Sequence, residues 1–446
     1  MANFLITSAN TLTEGSSGND VIELDTALGN TVYGAGGADK ISAGNVNATN
    51  AIINGGQGAD TINLDSANIN VGRVFAGGDN DIISAASATV AESTINAGGG
   101  TDTITIGSAT VTRSTINGNA GHDYITASAL SLSTAFVGLG AGNDSISFSG
   151  ATITDSKIAG GGGADSIVFT AGAGSGVLVQ GDTLTDSEYY GNDTISIGGV
   201  LGDDATVQGG GGADLITATA TLGDAGFFAG NNGKDTISLS AIQGSGNTIG
   251  GGAAADVITI ADGQTASAAY VFGGGGADQI TVSAQVGLAG EAFYINGGEG
   301  ADSIGLGTTV SGAVLSYTSF ANSNIDSTDV ISAMTGVDAS FSVTQSVVSA
   351  NFAAATTVNG LAIGASGTAS AFSAGINTVT ARATELDSVL TEGDTVFFSD
   401  NAGTDYLWIQ GGAAGSGNDG DLLVQVNTAV SAIQIAGGTA LTIDLA

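Results

Sequence analysis

The stretch Gly160-Gly161-Gly162-Gly163-Ala164-Asp165-Ser166-Ile167 contains the pattern that recurs along most of this chain. Close copies of it occur at Gly55–Ile62, Gly273–Ile280 and Gly297–Ile304. With the aspartate as the register mark, the pattern returns about every 21 residues. Such even spacing predicts a repeat architecture, in which each unit contacts only its neighbours. The register aspartates are Asp20, Asp39, Asp60, Asp81, Asp102, Asp123, Asp144, Asp165, Asp193, Asp214, Asp235, Asp256, Asp278 and Asp302.

Aliphatic residues keep the same register as the aspartates. An isoleucine follows two residues after many of them, as at Ile62 and Ile104, and another apolar residue follows at four, as at Leu64 and Ile106. Alternation with a period of two indicates a half-buried strand. Because one unit cannot bury its own apolar face, stacked units must share a core. We predict an all-β fold: a right-handed parallel β-helix or β-roll solenoid of about 14 coils, followed by a small β-rich C-terminal domain.

The charge balance narrows the classes of partner. The 446 residues include 42 acidic and 6 basic side chains, a net charge of −36, so a nucleic-acid partner is excluded and cations are favoured. Cysteine is absent, which rules out disulfides and thiolate metal sites. The N-terminus does not read as a Sec signal peptide, and no apolar run is long enough to predict a membrane-spanning helix.

The loops resemble the nonapeptide Gly-Gly-x-Gly-x-Asp-x-aliphatic-x of the repeats-in-toxin (RTX) family, a calcium-binding parallel β-helix motif. Glycine permits positive φ, so carbonyl oxygens can turn toward one point, and the aspartate adds a carboxylate. Calcium takes six to eight oxygen ligands of this kind. The resemblance implies that the register aspartates bind Ca²⁺ together with loop glycines, represented by Gly55, Gly58, Gly160, Gly163, Gly209, Gly212, Gly273, Gly276, Gly297 and Gly300.

The chain departs from the family in the spacing of its loops. Family loops recur every nine residues on both sides of a flattened roll, whereas here one loop occurs per coil. We therefore expect several Ca²⁺ ions in one row between adjacent loops, with weak or empty sites at the degraded loops Gly15–Asp20 and Ala253–Asp256. The alternative is that the glycines only form turns and the aspartates only cap them. Against it, carboxylates about 4.8 Å apart repel by about 0.9 kcal/mol per pair even in water.

A folding hypothesis follows from the calcium sites. Without calcium the acidic chain should be largely unfolded, and in millimolar calcium it should fold, because ion binding contributes folding free energy. A chain that stays unfolded in the low-calcium cytosol can pass through an exporter.

The repeat fades after Asp302, so we assign residues 1–306 to the solenoid and 307–375 to a β-rich capping or assembly region. Ile325–Ile331 is a candidate for a last coil without a glycine loop. Residues 376–446 form a predicted C-terminal β domain, with a short helix at Thr380–Leu386 and four strand-like runs. These runs are Thr395–Phe398, Tyr406–Ile409, Asp421–Val426 and Leu441–Ala446.

The C-terminal region, roughly 385–446, resembles the corresponding regions of proteins exported by type I secretion. Those regions carry a Gly-Asp-x-Tyr-Leu-Phe type strand, a polar loop, an Asp-Leu-hydrophobic strand and an apolar end. The resemblance implies a secretion signal at this end and the type I secretion machinery as a partner. An ordinary β cap is the alternative.

Residues suited to catalysis are scarce, and we predict that the chain is not an enzyme. The one histidine, His122, occupies a variable loop position, where a solvated residue is expected. Neither a His-Glu-x-x-His zinc motif nor a Gly-x-Ser-x-Gly elbow is present. We expect Trp408 to be a core residue and Tyr189-Tyr190, on a loop insertion, to be a contact point.

Three roles are compatible with these features. The first is a secreted structural protein that self-assembles into an extracellular layer or filament, with itself and cell-surface polysaccharide as partners. The chain resembles bacterial surface-layer proteins of this repeat class, which implies an extracellular or cell-surface location. The second is a calcium-dependent adhesin or an ice- or surface-binding solenoid. Ser or Thr three residues after the aspartates would form a hydroxyl ladder that favours this role, and an ordinary solvated strand face is the alternative. These are residues 42, 84, 105, 126, 147, 196, 217, 238, 259 and 281. The third role is a secreted enzyme or toxin, and no residues of the sequence support it.

Overall fold

The computed structural model describes the chain apart from residues 1, 27, 45, 66, 87, 108–109, 129–130, 151, 183–189, 243, 263–268, 287–292, 318–321, 325, 334–337, 348–355, 359–360, 364–368, 371, 373–375, 393, 401, 412–419, 428–429, 437 and 446. The described residues form an all-β parallel solenoid of about 13 turns, which confirms the predicted fold class. The chain divides into two compact units, Met1–Asn231 and Asn232–Ala446.

In the first unit, one parallel sheet, sheet 1, is made of the strands that directly follow the register aspartates. Identical positions of successive coils pair in register, so Ile62, Ile83 and Ile104 stack in one buried row. β-Branched residues suit such half-buried pleated positions, and they supply most of this row. The strands are Asn3–Ile6, Val21–Leu24, Lys40–Ser42, Thr61–Asn63, Ile82–Ser84, Thr103–Ile106, Tyr124–Ser128, Ser145–Ser149, Ser166–Phe169, Thr194–Ile197 and Leu215–Leu222.

A second parallel sheet of this unit, sheet 2, leads into the glycine loops. Its buried positions, such as Val74, Ile95 and Ile116, face the core fourteen residues after an aspartate, as the apolar register requires. The strands are Leu12–Glu14, Thr31–Gly36, Ile52–Gln57, Arg73–Gly78, Thr94–Gly99, Thr115–Ala120, Phe136–Ala141, Lys157–Gly162, Leu178–Asp182, Thr206–Gly211 and Phe227–Asn232.

Short strands close the third side of the coils as sheet 3. Ile69, Val90, Val111, Leu132 and Ile153 fill the core from this side, and the residues beside them face outward. The strands are Asn68–Asn70, Thr89–Ala91, Thr110–Thr112, Ser131–Ser133 and Thr152–Thr154, followed by the short pair Gly172–Ala173 and Val200–Leu201.

In the second unit, parallel coils lead into the C-terminal strands. Ile304 pairs with Ile331, so the predicted last coil is present from Asp329 onward, whereas Ile325 lies outside the described residues. The coil strands are Thr236–Ile242, Thr248–Ala253, Val257–Asp262, Tyr270–Gly275, Gln279–Val286, Phe293–Glu299, Ser303–Tyr317 and Asp329–Ala333.

The C-terminal strands extend the edge of the last coil. Leu422–Val426 pairs in parallel with Asp329–Ile331, and it pairs on its other side with Asp405–Ile409, which is antiparallel and next to Thr395–Ser399. The helix Val379–Val389, capped by Thr378, packs on this sheet. The other strands are Asp338–Val347, Thr356–Val358, Leu361–Ile363, Ala369–Ser370, Val430–Ala436 and Gly438–Leu445.

These elements confirm the helix and the strand-like runs predicted from residue 380 onward. Trp408 is fully buried against the helix, as expected of a core residue. The boundaries at 306 and 375 remain predictions. Among the described residues, no helix combines the length and the apolarity that a membrane crossing would need.

Candidate metal centre

The register aspartates form a continuous hydrogen-bonded row within each unit, which we call the aspartate ladder. Each ladder residue is at most 3 % exposed. From Asp39 to Asp214 and from Asp256 to Asp329, Oδ1 accepts the main-chain N–H of the ladder aspartate one coil earlier. In the first unit the ladder runs from Asp20 to Asp214, with N–O distances of 2.7–2.9 Å. In the second it runs from Asp235 to Asp329, with distances of 2.7–3.0 Å.

Asp329 is a further ladder residue, outside the set of aspartates predicted from the sequence. It lacks the preceding glycine loop, which was the signal used for the other positions. The available signal was the spacing from Asp329 to Ile331, which matches the aspartate and isoleucine of every other coil.

In the interior of the ladder, the second carboxylate oxygen is not explained by ordinary capping of a turn. Oδ2 of these residues is buried and has no hydrogen-bond partner, although a buried anionic oxygen without a partner is costly. The alternative that aspartates only cap turns accounts for Oδ1 and leaves Oδ2 unexplained. The residues are Asp39, Asp60, Asp81, Asp102, Asp123, Asp144, Asp165 and Asp193 in the first unit, and Asp256, Asp278 and Asp302 in the second.

Main-chain carbonyls lie beside these oxygens. A Cβ on Gly160 would lie 2.3 Å from Oδ2 of Asp165 and 2.6 Å from the carbonyl oxygen of Gly181, one coil further on. The same point beside Gly273 is 2.3 Å from Oδ2 of Asp278 and 2.2 Å from the carbonyl oxygen of Gly297. A carboxylate oxygen and a main-chain carbonyl oxygen therefore both lie close to one point in each loop, where a cation could contact both.

The predicted glycines serve two different purposes. In the motif Gly-Gly-x-Gly-x-Asp, the third glycine is the one two residues before the aspartate. Its φ is between +103° and +131°, the left-handed region that favours glycine, at Gly58, Gly163, Gly212, Gly276 and Gly300. The first glycine does not have positive φ. Its missing side chain instead leaves room for the aspartate carboxylate, at Gly55, Gly160, Gly209, Gly273 and Gly297. The second glycine, which was not singled out from the sequence, also has positive φ, at Gly56, Gly161, Gly210, Gly274 and Gly298.

Burial raises the pKa of the interior ladder carboxyls, and neighbouring carboxylates raise it further. The pKa reaches about 6 for Asp60, about 7 for Asp81 and about 8 for Asp165 and Asp193. The first rung differs, because the main-chain N–H groups of Ser16 and Ala2 lower the pKa of Asp20. Both oxygens of Asp20 are therefore already hydrogen-bonded, in line with the expectation that the degraded loop Gly15–Asp20 is a weak site.

Side chains alone do not form a metal cage. In the described part of the chain, no three Asp, Glu or His side chains converge on one point. A calcium ion at the ladder would therefore take most of its six to eight oxygens from main-chain carbonyls such as those of Gly181 and Gly297. The residues present fit such an ion, since the loops offer hard oxygen ligands and Oδ2 of Asp165 and Asp278 has no hydrogen-bond partner in the described part of the chain.

A second candidate site consists of outward hydroxyl groups on sheet 3. Thr89, Thr110, Ser131 and Thr152 pair in register and are exposed, which gives a straight row across successive coils. A parallel row beside it contains Thr112, Ser133 and Thr154. The row predicted from the sequence lies in sheet 1, where it faces outward in register but is interrupted at Asn63 and Val168. The missed signal was the polar residues that alternate with the buried positions of sheet 3.

The other residues singled out from the sequence do not form a site. His122 is exposed, and its Nδ1 lies 2.9 Å from the main-chain nitrogen of Asn143. Tyr190 places its ring beside Gly211, whereas Ser187, Glu188 and Tyr189 lie outside the described residues.

No protein-family profile matches the sequence, and no curated protein does. Among solved structures, the chain is similar to a hyperactive, Ca²⁺-dependent, β-helical antifreeze protein from an Antarctic bacterium, determined by X-ray crystallography. The identity is 19 %, the match covers 68 % of this chain and 83 % of that one, and the TM-score is 0.44. At these values the similarity carries no argument about function.

Proposed function

We propose that this chain is a secreted β-solenoid that folds on binding calcium and serves as a structural subunit of an extracellular layer or filament. The observation that carries the proposal is the row of buried Oδ2 atoms in the aspartate ladder, which have no hydrogen-bond partner. A row of Ca²⁺ ions between adjacent loops would neutralise these oxygens. The ladder aspartates and the glycine-loop carbonyls are the ligands we assign to it.

Calcium fits these loops better than magnesium does. Calcium accepts irregular sets of six to eight oxygens, whereas magnesium requires a near-ideal octahedron and keeps several waters. Space for bound water is small beside the ladder, because a Cβ on Gly160 would already meet two oxygen atoms within 2.6 Å. Ion binding to the folded chain alone would contribute directly to stability.

The cellular context of the proposal is export followed by folding. With a net charge of −36, the chain without calcium repels itself, and outside the cell millimolar calcium would allow it to fold. We assign export to the type I secretion machinery on the resemblance of the C-terminal region. The cell surface is the proposed location, and surface polysaccharide is a proposed partner.

Self-assembly is supported by the outer surface of the first coil. Leu5 and Leu12 are 60 % and 65 % exposed on the strands Asn3–Ile6 and Leu12–Glu14. Within the described residues, Asn3–Ile6 pairs on one side, with Val21–Leu24. Strands of this kind are suited to pair with another copy.

The test is circular dichroism and negative-stain electron microscopy of the purified chain, after removal of calcium and after its return. We expect β structure to appear with calcium, followed by ordered sheets or filaments. Equal β content with and without calcium would overturn calcium-dependent folding. A calcium-folded chain that remains monomeric at high concentration would overturn the assembly role alone.

A second candidate function is binding to an ordered surface, such as ice or a crystalline polysaccharide. The specific observation that favours it is the in-register hydroxyl row of Thr89, Thr110, Ser131 and Thr152 on sheet 3. Thr110→Tyr would interrupt the row at its centre without touching the aspartate ladder. We expect that variant to lose adsorption to the surface while keeping its calcium-dependent fold. No adsorption by the unaltered chain to ice or polysaccharide would eliminate this candidate.

A further inference from the structure

One loop of the first unit carries a carboxylate where its neighbours carry glycine. Asp182 pairs in register with Gly161, the second glycine of the preceding loop. The chain then inserts extra residues and returns to the loop pattern at Gly191-Asn192-Asp193. The insertion therefore coincides with the replacement of a loop glycine by an acid.

The carboxyl group of Asp182 is enclosed between coils. The residue is 0 % exposed, and its Oδ2 accepts the N–H groups of Gly191 at 3.1 Å and Gly211 at 3.2 Å. Its Oδ1 has no hydrogen-bond partner. A Cβ on Gly210 would lie 2.5 Å from the Cβ of Asp182, so the next coil can pass over this side chain only because it has glycine there.

Two ladder carboxylates flank this group. Oδ2 of Asp165 and Oδ2 of Asp193 are also buried without a hydrogen-bond partner. Burial is the main cause of the raised pKa of both neighbours, and the charge of Asp182 raises the pKa of each further. In the described part of the chain, the ion pair that forms is Arg113 with Glu92, so no basic side chain neutralises these three acids.

We propose that Asp182, together with Asp165 and Asp193, forms a distinct calcium site that binds more tightly than the regular sites of the ladder. The proposal rests on calcium binding by the ladder, and it adds a ligand that the repeat motif does not contain. A greater number of charged ligands raises calcium affinity. The three carboxylates do not converge in this structure, so the Asp182 side chain must turn toward the ion when it binds.

The test compares the full chain with Asp182→Asn and Asp182→Gly. Asp182→Asn keeps the shape and an acceptor for Gly191 and Gly211, whereas Asp182→Gly restores the regular loop. Asp155→Asn, an exposed acid of the same unit, is the matched control. Calcium bound at increasing free calcium is measured by equilibrium dialysis with metal analysis.

We expect both Asp182 variants to bind one ion fewer and to lose the tightest binding step, which shifts at least about tenfold in free calcium. The control should keep that step. An unchanged first step in Asp182→Asn and Asp182→Gly would overturn the site, and would mean that a proton or a water satisfies Oδ1. A full chain that binds no calcium at all would instead overturn the proposed function.

Terbium, a luminescent substitute for calcium, locates the tightest site independently. The ring of Tyr190 lies beside Gly211, whose N–H binds Asp182, so it can sensitise an ion held there. At one equivalent of terbium, we expect tyrosine-excited emission that is lost in Tyr190→Phe and in Asp182→Asn but kept in Asp155→Asn. Emission that persists in Tyr190→Phe would place the first ion elsewhere and contradict the proposal.

Discussion

At two corners of the coil, a side-chain oxygen accepts a main-chain N–H of the preceding coil, but the side chains differ. At the aspartate corner, Asp165 accepts the N–H of Asp144 from the preceding coil, and its Oδ2 has no hydrogen-bond partner. At the corner between sheets 3 and 2, Ser93 and Ser114 accept N–H groups from the preceding coil at 2.9 Å and 3.0 Å. Each serine hydroxyl also donates to a carbonyl, of Ala91 or Thr112, and is therefore fully satisfied.

The difference shows that capping alone does not require a charge. A neutral hydroxyl closes the serine corner at little electrostatic cost, and the same fold could have closed the other corner in this way. The aspartate corner instead retains a row of buried carboxylates, whose ionised form is disfavoured without a countercharge. This comparison favours an ion-binding role for the aspartates, and each of the following experiments tests one part of it.

The largest expected effect is on the pH dependence of stability. Burial raises the folded-state pKa of the interior ladder carboxyls above 3.8, to about 8 for Asp165, so the folded chain holds protons that the unfolded chain has released. Without calcium, stability should therefore fall as pH rises from about 4 to about 8, so that the chain is folded at acid pH and largely unfolded at pH 8. Millimolar calcium should reverse the trend, because the ion requires ionised ligands.

Thermal unfolding followed by circular dichroism, in chelated and calcium-loaded samples from pH 5 to 8, measures this effect. A chelated chain whose Tm is constant across that range would contradict the assignment of buried, partnerless carboxylates. The serine hydroxyls that cap the other corner do not titrate between pH 5 and 8, so they provide no competing explanation.

A large effect is also expected from removing one rung at each corner. Asp165→Ala deprives the buried N–H of Asp144 of its acceptor and removes an ion ligand, so it should cost about 3–5 kcal/mol in calcium. Ser114→Ala deprives the N–H of Ser93 in the same way and should cost about 1–2 kcal/mol, with or without calcium. Denaturant unfolding gives both values. If the losses in both variants depended equally on calcium, the proposal that only the aspartate corner binds ions would be contradicted.

A smaller and opposite effect is expected from a neutral isostere. Asp165→Asn keeps the acceptor for Asp144 but loses the charge, so at pH 8 it should stabilise the calcium-free chain by about 1 kcal/mol. The same variant should gain less from calcium than the unaltered chain does. Asp155→Asn, at an exposed position, should change neither quantity. Destabilisation of the calcium-free chain by Asp165→Asn would show that the carboxylate is not strained by its burial.

The smallest effect concerns the backbone of the serine corner. Its turn residue has positive φ in every described coil, including +55° at Val71, +51° at Thr134 and +67° at Gly176. Positive φ is sterically unfavourable for a β-branched residue. Val71→Gly should therefore stabilise the folded chain by about 1 kcal/mol, and Gly176→Val should destabilise it by a similar amount. Calorimetry of the pair checks the sign, and two changes of equal sign would contradict the cause.

The two corners also explain what the sequence could reveal. The aspartate corner was predictable because its buried chemistry restricts residue type, so glycine and aspartate recur at fixed spacing. The serine corner repeats only its backbone, and exposed residues as different as Val71, Glu92 and Arg113 occupy its turn. Asp182 and Asp329 escaped prediction because each breaks the loop motif. That Oδ1 accepts a hydrogen bond while Oδ2 has no partner depends on atomic contacts between coils, and these contacts cannot be predicted from a pattern of residue types.

The ladder hydrogen bonds also give the solenoid a direction. In the second unit, each ladder N–H from Asp235 to Asp302 is capped by the coil that follows it in the sequence, so a coil is complete only once its C-terminal neighbour has formed. The row ends at Asp329, whose N–H donates to Oγ of Ser323, and that hydroxyl donates to the carbonyl of Leu423 in the C-terminal sheet. Coil formation is therefore expected to start at the C-terminal sheet and to propagate toward the N-terminus. Deletions from the C-terminal side should remove the template for every earlier coil of that unit, whereas deletions from the other side leave the remaining coils capped.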